Sequence, residues 1–187
     1  PAVLKTATMG YDGKGQWKIT GTPLPSPLPQ GEREYVLEGF VDFKMEISVI
    51  VARAANGEMQ CYVPVENIHK NHILDQTIVP ARIPATLAAK AEQMAKTIAE
   101  GLNLVGLMAV EMFVTRDDQL LVNELAPRPH NSGHWTLDGA SISQFEQHIR
   151  AIAGWPLGKP VRHGRVTMTN LIGDEGTGFM QLVQRLV

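Results

Sequence analysis

The stretch from Gly106 to Thr136, GLMAVEMFVTRDDQLLVNELAPRPHNSGHWT, constrains the fold more than any other part of the chain. Two apolar runs, Leu107–Val114 and Leu120–Leu125, flank the polar tetrad Arg116-Asp117-Asp118-Gln119. That arrangement predicts an antiparallel hairpin with Asp117-Asp118 as a two-residue turn. In that register Arg116 pairs with Gln119, and Glu111 stands opposite Glu124. Like charges facing each other across strands, with Cβ atoms ~4.5–5.5 Å apart, are destabilising. A cation between them is one reading; a slipped register, or carboxylates splayed into solvent, is the other. Hard divalent cations such as Mg²⁺ take carboxylate oxygens and share their shell with substrate phosphates. Just beyond the second glutamate, Pro127-Arg128-Pro129-His130-Asn131-Ser132-Gly133-His134 gathers cations, amides and stiff prolines past a strand end. Loops held by a rigid scaffold are where binding groups concentrate.

The amino-terminal part carries a second candidate. Pro1–Lys5 reads as a short strand leading into Met9-Gly10-Tyr11-Asp12-Gly13-Lys14-Gly15-Gln16. Three glycines in six residues free the backbone for a phosphate-cradling loop, and Lys5 and Lys14 supply positive charge. The spacing fits neither a P-loop nor the dinucleotide fingerprint, so a glycine-rich hairpin turn is the plain alternative. Prolines at 23, 25, 27 and 29 make the next segment extended or polyproline II, a solvent-exposed connector.

From Tyr35 the chain is strand-rich. A break at Glu38-Gly39-Phe40-Val41 precedes a clean alternation, with Met45, Ile47, Val49 and Val51 on one face. Glu46 and Ser48 lie on the other face beside Ile50 and Ala52. Asn56-Gly57 predicts a hairpin to Glu58–Val65. Residues 67–77 read as polar and irregular, with His69 and His72 as scattered loop histidines. A helix is expected from Pro84 to about Glu100, with the stripe Leu87, Ala91, Met94, Ile98 and Leu102, ended by Gly101. A second helix is expected over Ser143–Ala153, a strand over Gly164–Leu171, and a helix that starts at Phe179 and is unfinished at Val187.

Composition narrows the class. Net charge is −2, and no electrostatic footprint points to nucleic acid or a membrane surface. No apolar run approaches the ~20 residues of a membrane span. The single cysteine, Cys61, excludes an internal disulfide and fits a reducing compartment such as the cytoplasm. Its apolar surroundings read as burial rather than nucleophilic chemistry. The opening on Pro1 inside a strand and the unfinished final helix read as a fragment.

A glycine loop with lysines, a strand break whose backbone can read an adenine edge, a lone glutamate for ribose hydroxyls and a carboxylate pair for Mg²⁺ together describe a nucleotide site without a P-loop. They imply phosphoryl transfer, which depends on positioning and charge neutralisation. The segments GYDGKGQ (10–16), LEGFVDF (37–43), ENIHKNHILDQTIVPAR (66–82) and NELAPRPHNSGHWT (123–136) resemble the ATP-grasp family of N5-carboxyaminoimidazole ribonucleotide synthases. The resemblance implies an α+β fold, with two lobes holding nucleotide between antiparallel sheets. Residues 1–41 would be a partial small lobe, 42–155 the large lobe, and 156–187 the start of a further domain. The implied reaction is ATP-dependent carboxylation of 5-aminoimidazole ribonucleotide by bicarbonate through carboxyphosphate, in de novo purine biosynthesis.

The resemblance also implies roles. Lys5 contacts the ATP phosphates, and Gly10, Tyr11, Asp12, Gly13, Lys14, Gly15 and Gln16 close over them. Glu38, Gly39, Phe40 and Val41 read adenine, Glu46 binds ribose, and His69 lines the nucleotide pocket. Glu111 and Glu124 hold Mg²⁺ beside Asn123. Arg128, His130 and Asn131 hold bicarbonate and carboxyphosphate, while Tyr11 and Asp12 approach the aminoimidazole. A homodimer is expected. Thr6-Ala7-Thr8-Met9 departs from the family, which carries Arg and Gly before this loop. The family's amino-terminal domain and terminal Lys/Arg-Gly motif are missing from the match, so weak Mg-ATP binding and no complete reaction are expected of the fragment. The alternatives are another ATP-grasp ligase, such as a formate-dependent glycinamide ribonucleotide transformylase, and a non-catalytic nucleotide-binding module.

Overall fold

In the computed structural model, residues 1–7, 15–21 and 34–171 are described. Gly10, Tyr11, Asp12, Gly13 and Lys14, the proline-rich 23–29 segment and the helix expected from Phe179 lie outside them. Three antiparallel strands form a small sheet in the order β2-β1-β3, with β1 at Ala2–Thr6, β2 at Gln16–Ile19 and β3 at Tyr35–Gly39. The larger sheet is built from β4 (Phe43–Arg53), β5 (Met59–Cys61), β6 (Val65–Lys70), β7 (Ile73–Val79), β8 (Gly106–Thr115), β9 (Leu120–Ala126) and β10 (Val166–Thr169). Its order is β10-β7-β6-β4-β8-β9, with β5 also on β4. The segment expected to open a further domain therefore contributes the edge strand β10, which pairs with β7.

The period of two along β4 divides the core, because successive side chains point to opposite faces. Ile47, Val49 and Val51 pack with Met108, Val110 and Met112 of β8 under helix α1 (Ala85–Gly101). Ile50 and Ala52 pack with Leu107, Ala109 and Trp135 on the opposite face, where α3 (Gln144–Ala153) docks. Helix α1 faces the sheet through Leu87, Ala91, Ala95 and Ala99, so the expected stripe is rotated toward small residues that allow a close approach. Leu102 is exposed. The helix reaches Gly101, but the left-handed residue that turns the chain is Asn103 (φ 49°). Cys61 packs against the same cluster, and burial pushes its thiol up to about 12.

Residues 67–77 form a hairpin rather than an irregular segment. Strands β6 and β7 are joined by Asn71 and His72, both at positive φ (52° and 66°), the backbone signature of a type I′ turn. The β8–β9 hairpin also differs near its tip. Thr115 pairs with Gln119 across a three-residue loop, Arg116 to Asp118, with Asp118 left-handed (φ 62°). A shift between Glu111 and Met112 leaves Asn123 as an extra residue, and the pair Glu111–Glu124 is restored beyond it. Among the described residues no helix is long and apolar enough to cross a membrane.

Candidate active site

Strand register assembles a polar row across five strands. Thr77 of β7 pairs with Asn67 of β6, Asn67 with Glu46 of β4, Ser48 of β4 with Glu111 of β8, and Glu111 with Glu124 of β9. Directly opposed residues in an antiparallel sheet share a face. Glu46 and Ser48 are two apart and share one as well. The row lies on the face that carries Ile50, Ala52, Leu107 and Ala109 further along, where the core becomes polar. The segment that leaves β9 meets it at His130, bonded to Glu111, and at Ser132, bonded to Ser48, within a 3-10 turn at Asn131–Gly133; the short helix α2 (Thr136–Gly139) follows.

His130 Nε2 lies 2.8 Å from Glu111 Oε1, and both side chains are less than a fifth exposed. Burial pushes the Glu111 carboxyl up. The hydrogen bond from His130 and the nearby cationic groups, His69 and Arg128 among them, outweigh it and hold the group below the usual carboxylate range. His130 Nδ1 caps the 3-10 turn, accepting from the Ser132 amide (3.3 Å) and lying 2.9 Å from Ser132 Oγ. Gln144, fully buried on α3, accepts from the His130 amide (2.9 Å) and donates to its carbonyl (2.7 Å). Behind Ser132, Ser48 Oγ donates to Ser132 Oγ (2.7 Å), Asn67 Nδ2 donates to Ser48 Oγ (3.0 Å) and Thr77 Oγ1 donates to Asn67 Oδ1 (3.4 Å).

Of the three residues expected to hold bicarbonate, His130 has both ring nitrogens occupied and turns to Glu111. Arg128 is exposed and donates to the Pro129 carbonyl (3.2 Å). Asn131 carries a shielded Oδ1 with no hydrogen-bond partner among the described residues, an acceptor left over at the site. Sequence reasoning missed Ser48, Asn67, Thr77, Ser132 and Gln144 as site residues. A period-two count from Glu46 could have found Ser48; Gln144 gives no local signal.

A second group adjoins the row at Glu46, two residues before Ser48 on β4. His69 Nδ1 is ion-paired with Glu46, and the two line a cleft of about 340 Å³ with Phe43, Met45, Asn67 and Ile68. The Glu46 hydrogen bond lifts His69 above the ordinary histidine value; burial opposes this, while the Glu46 and Glu111 charges add to it. A raised folded value gives stability that is fully present below the unfolded value, about 6.5, and lost as pH rises through the higher folded one. His69→Gln is therefore expected to lower Tm more below about pH 6 than above about pH 8. A Tm gap that does not change with pH would rule out this linkage.

On the small sheet, Lys5 Nζ meets Glu38 Oε2 at 2.7 Å. Gly15 (φ 75°) accepts from the Thr6 amide at 2.8 Å, and Gln16 opposes Lys5. Gly39 ends β3, and Phe40 and Val41 form the connection to β4, with Lys18 Nζ 4.0 Å from the Phe40 ring centroid. The expected break at Glu38–Val41 falls later in the structure: Glu38 and Gly39 are still paired with Val3 and Ala2 in β3, the Phe40 amide donates to the Pro1 carbonyl (3.2 Å), and the strand pairing lapses over 40–42.

The carboxylate pair suits Mg²⁺. Glu111 keeps a second oxygen beyond the one bonded to His130, and Glu124 stands opposite it, exposed. Among the described residues no group of three His, Cys, Asp or Glu side chains forms a protein-only cage. Such a pair fits a hard cation that completes its shell with phosphate oxygens and water.

Comparison with known proteins places this geometry. Residues 1–145 match the ATP-grasp domain family. The N5-carboxyaminoimidazole ribonucleotide synthase of Bacillus subtilis (strain 168) is 55% identical over 179 residues, covering 94% of this chain and 47% of that protein. The synthase of the same name from Escherichia coli (strain K12) is 42% identical over 174 residues, covering 93% and 49%. An N5-carboxyaminoimidazole ribonucleotide synthetase solved as its ADP complex superposes with a TM-score of 0.86 at 46% identity, over 100% of this chain and 50% of that one. The chain thus spans about half the length of the relatives it matches. With this family match and the two antiparallel sheets, the chain belongs to the ATP-grasp family.

Proposed function

We propose that the chain forms the nucleotide-binding and phosphoryl-transfer part of an enzyme that carboxylates 5-aminoimidazole ribonucleotide. ATP would lie between the two sheets, with adenine at Glu38 to Val41, ribose at the Glu46–His69 cleft, and phosphates toward Lys5 and the glycine-rich segment. Mg²⁺ held by Glu111 and Glu124 would neutralise phosphate charge. The observation that carries the reading is the Glu111 carboxyl, held 2.8 Å from His130 and opposed by Glu124, beside a loop that offers Arg128. Support also comes from a neighbour of 28% identity and TM-score 0.84, the N5-carboxyaminoimidazole synthase of Aspergillus clavatus, solved with ADP and 5-aminoimidazole ribonucleotide.

In this reading a bicarbonate oxygen attacks the γ-phosphorus and the bridging P–O bond to ADP breaks. Arg128 stabilises the resulting carboxyphosphate, whose carboxyl carbon passes to the exocyclic amine as phosphate leaves and the amine loses a proton. The exposed Phe145, Ile149 and Ile152 of α3 supply apolar surface for a homodimer, and the lone Cys61 accords with the cytoplasm.

The test is oxygen transfer. With ¹⁸O-bicarbonate, Mg-ATP and 5-aminoimidazole ribonucleotide, the whole polypeptide carrying this chain is expected to release phosphate that bears one label. Formate with glycinamide ribonucleotide should give no turnover. Unlabelled phosphate, or turnover with formate, would overturn the assignment.

A further inference from the structure

His130 is held by a hydrogen-bond chain whose direction can be worked out. The Ser132 backbone amide can only donate, and it points at Nδ1 (3.3 Å). Nδ1 is therefore an acceptor, and the neutral ring carries its proton on Nε2, aimed at Glu111. Ser132 Oγ, 2.9 Å from the same nitrogen, directs its one proton there, so it can only accept in its contact with a second hydroxyl. Ser48 Oγ is that hydroxyl, and it in turn accepts from the Asn67 amide NH₂. This leaves Asn67 Oδ1 facing the Thr77 hydroxyl. Ser48, Thr77 and Ser132 are at most 1% exposed and Asn67 is 6%, so water does not compete for these bonds. Gln144 fixes the His130 backbone from both sides, leaving only the ring for the chain to orient.

We propose that Thr77, Asn67 and Ser48 are positioning residues which, through Ser132, hold the His130 ring with Nδ1 accepting from Ser132 and Nε2–H turned to Glu111. His130 then orients the carboxylate. The catalytic part of this inference rests on the reading of Glu111 as a site residue; the proton order does not.

Asn67→Asp separates the two. A carboxylate of the same shape can only accept, so Ser48 would donate to it, Ser132 would donate to Ser48, and one of the two donors to Nδ1 would be lost. ¹⁵N spectra of the ligand-free, histidine-labelled chain are expected to give His130 an unprotonated Nδ1 and a protonated Nε2. Asn67→Asp should move the ring toward a tautomer mixture, and Thr77→Val, which is milder and remote, should move it less in the same direction. In the whole polypeptide, Asn67→Asp is expected to weaken Mg²⁺-dependent ADP binding by about 10–100-fold, as losses of such supporting bonds do. Protonation of Nδ1 in the wild type, alone or with Nε2, would overturn the proton order. A variant of native melting behaviour that alters the ring without changing Mg²⁺-dependent ADP affinity would overturn the positioning role.

Discussion

Replacing Glu111 with glutamine is expected to lower the phosphoryl-transfer rate of the whole polypeptide by about 10²–10³-fold, the usual scale for removing one preorganised electrostatic group. The amide keeps the shape of the side chain and an oxygen for His130 Nε2, so the loop and the fold should persist. What disappears is the negative charge that would draw a cation against the phosphates. Because Glu111 is mostly buried, that charge acts through a lower effective dielectric than the exposed Glu124. Glu124→Gln should therefore act in the same direction with a smaller loss. Rates at saturating Mg²⁺, read beside thermal melts, check both. A Glu111→Gln enzyme of wild-type rate would remove the carboxylate pair from the chemistry.

Gly133→Ala should be the most damaging single methyl in the site. A Cβ there would stand 2.5 Å from Gln144 Oε1 and 2.7 Å from Gln144 Cδ. A flexible side chain could ordinarily move aside, but Gln144 is fully buried and bonded to the His130 amide and carbonyl. Overpacking costs about 1–3 kcal/mol, and the disrupted buried amide bonds add about 1 kcal/mol or more. The expected result is a Tm lower by roughly 5–15 °C, with activity falling further as His130 loses its anchor. Gly101→Ala serves as the control, since its Cβ meets nothing within 4 Å and no unusual φ is needed there. It should leave Tm unchanged or raise it slightly. Equal melting of the two variants would refute the packing argument.

The two-residue alternation of β4 was legible because both faces are buried and each apolar residue has only one place to go. The pairing of Glu111 with Glu124 was legible too, but by a compensated route: the turn is one residue longer than expected and Asn123 is extruded to match. Strands β6 and β7 escaped because Asn67, His69, Asp75 and Gln76 break the apolar pattern, and their turn uses Asn71-His72 without a glycine. Asn67 and His69 line the cleft, and Asn67 also joins the polar row, so part of the folding signal gave way to the site. Among the site residues, charged side chains stood out, whereas neutral ones did not. Ser48 takes its meaning from Ser132, 84 residues away, and no local pattern marks such a partner. The His130 ring offered the same difficulty, since its orientation is decided by Ser132 and Glu111 rather than by its neighbours Pro129 and Asn131.

The extruded Asn123 separates the β8–β9 ribbon into two mechanical parts. Toward the base, Val110–Leu125 and Ala109–Ala126 tie the carboxylates to the buried Ala109, Val110 and Ala126. Toward the tip, Met112–Val122, Phe113–Leu121 and Val114–Leu120 follow the other register and end in an exposed loop. Lengthening or trimming the tip changes spacing on the far side of the offset, while the spacing that matters to a bound cation is set from below. The ribbon can thus exchange its outer end, with the Lys44–Asp118 and Arg116–Asp42 surface pairs, as a module. Its inner end works as a gauge block that holds two negative charges at one separation.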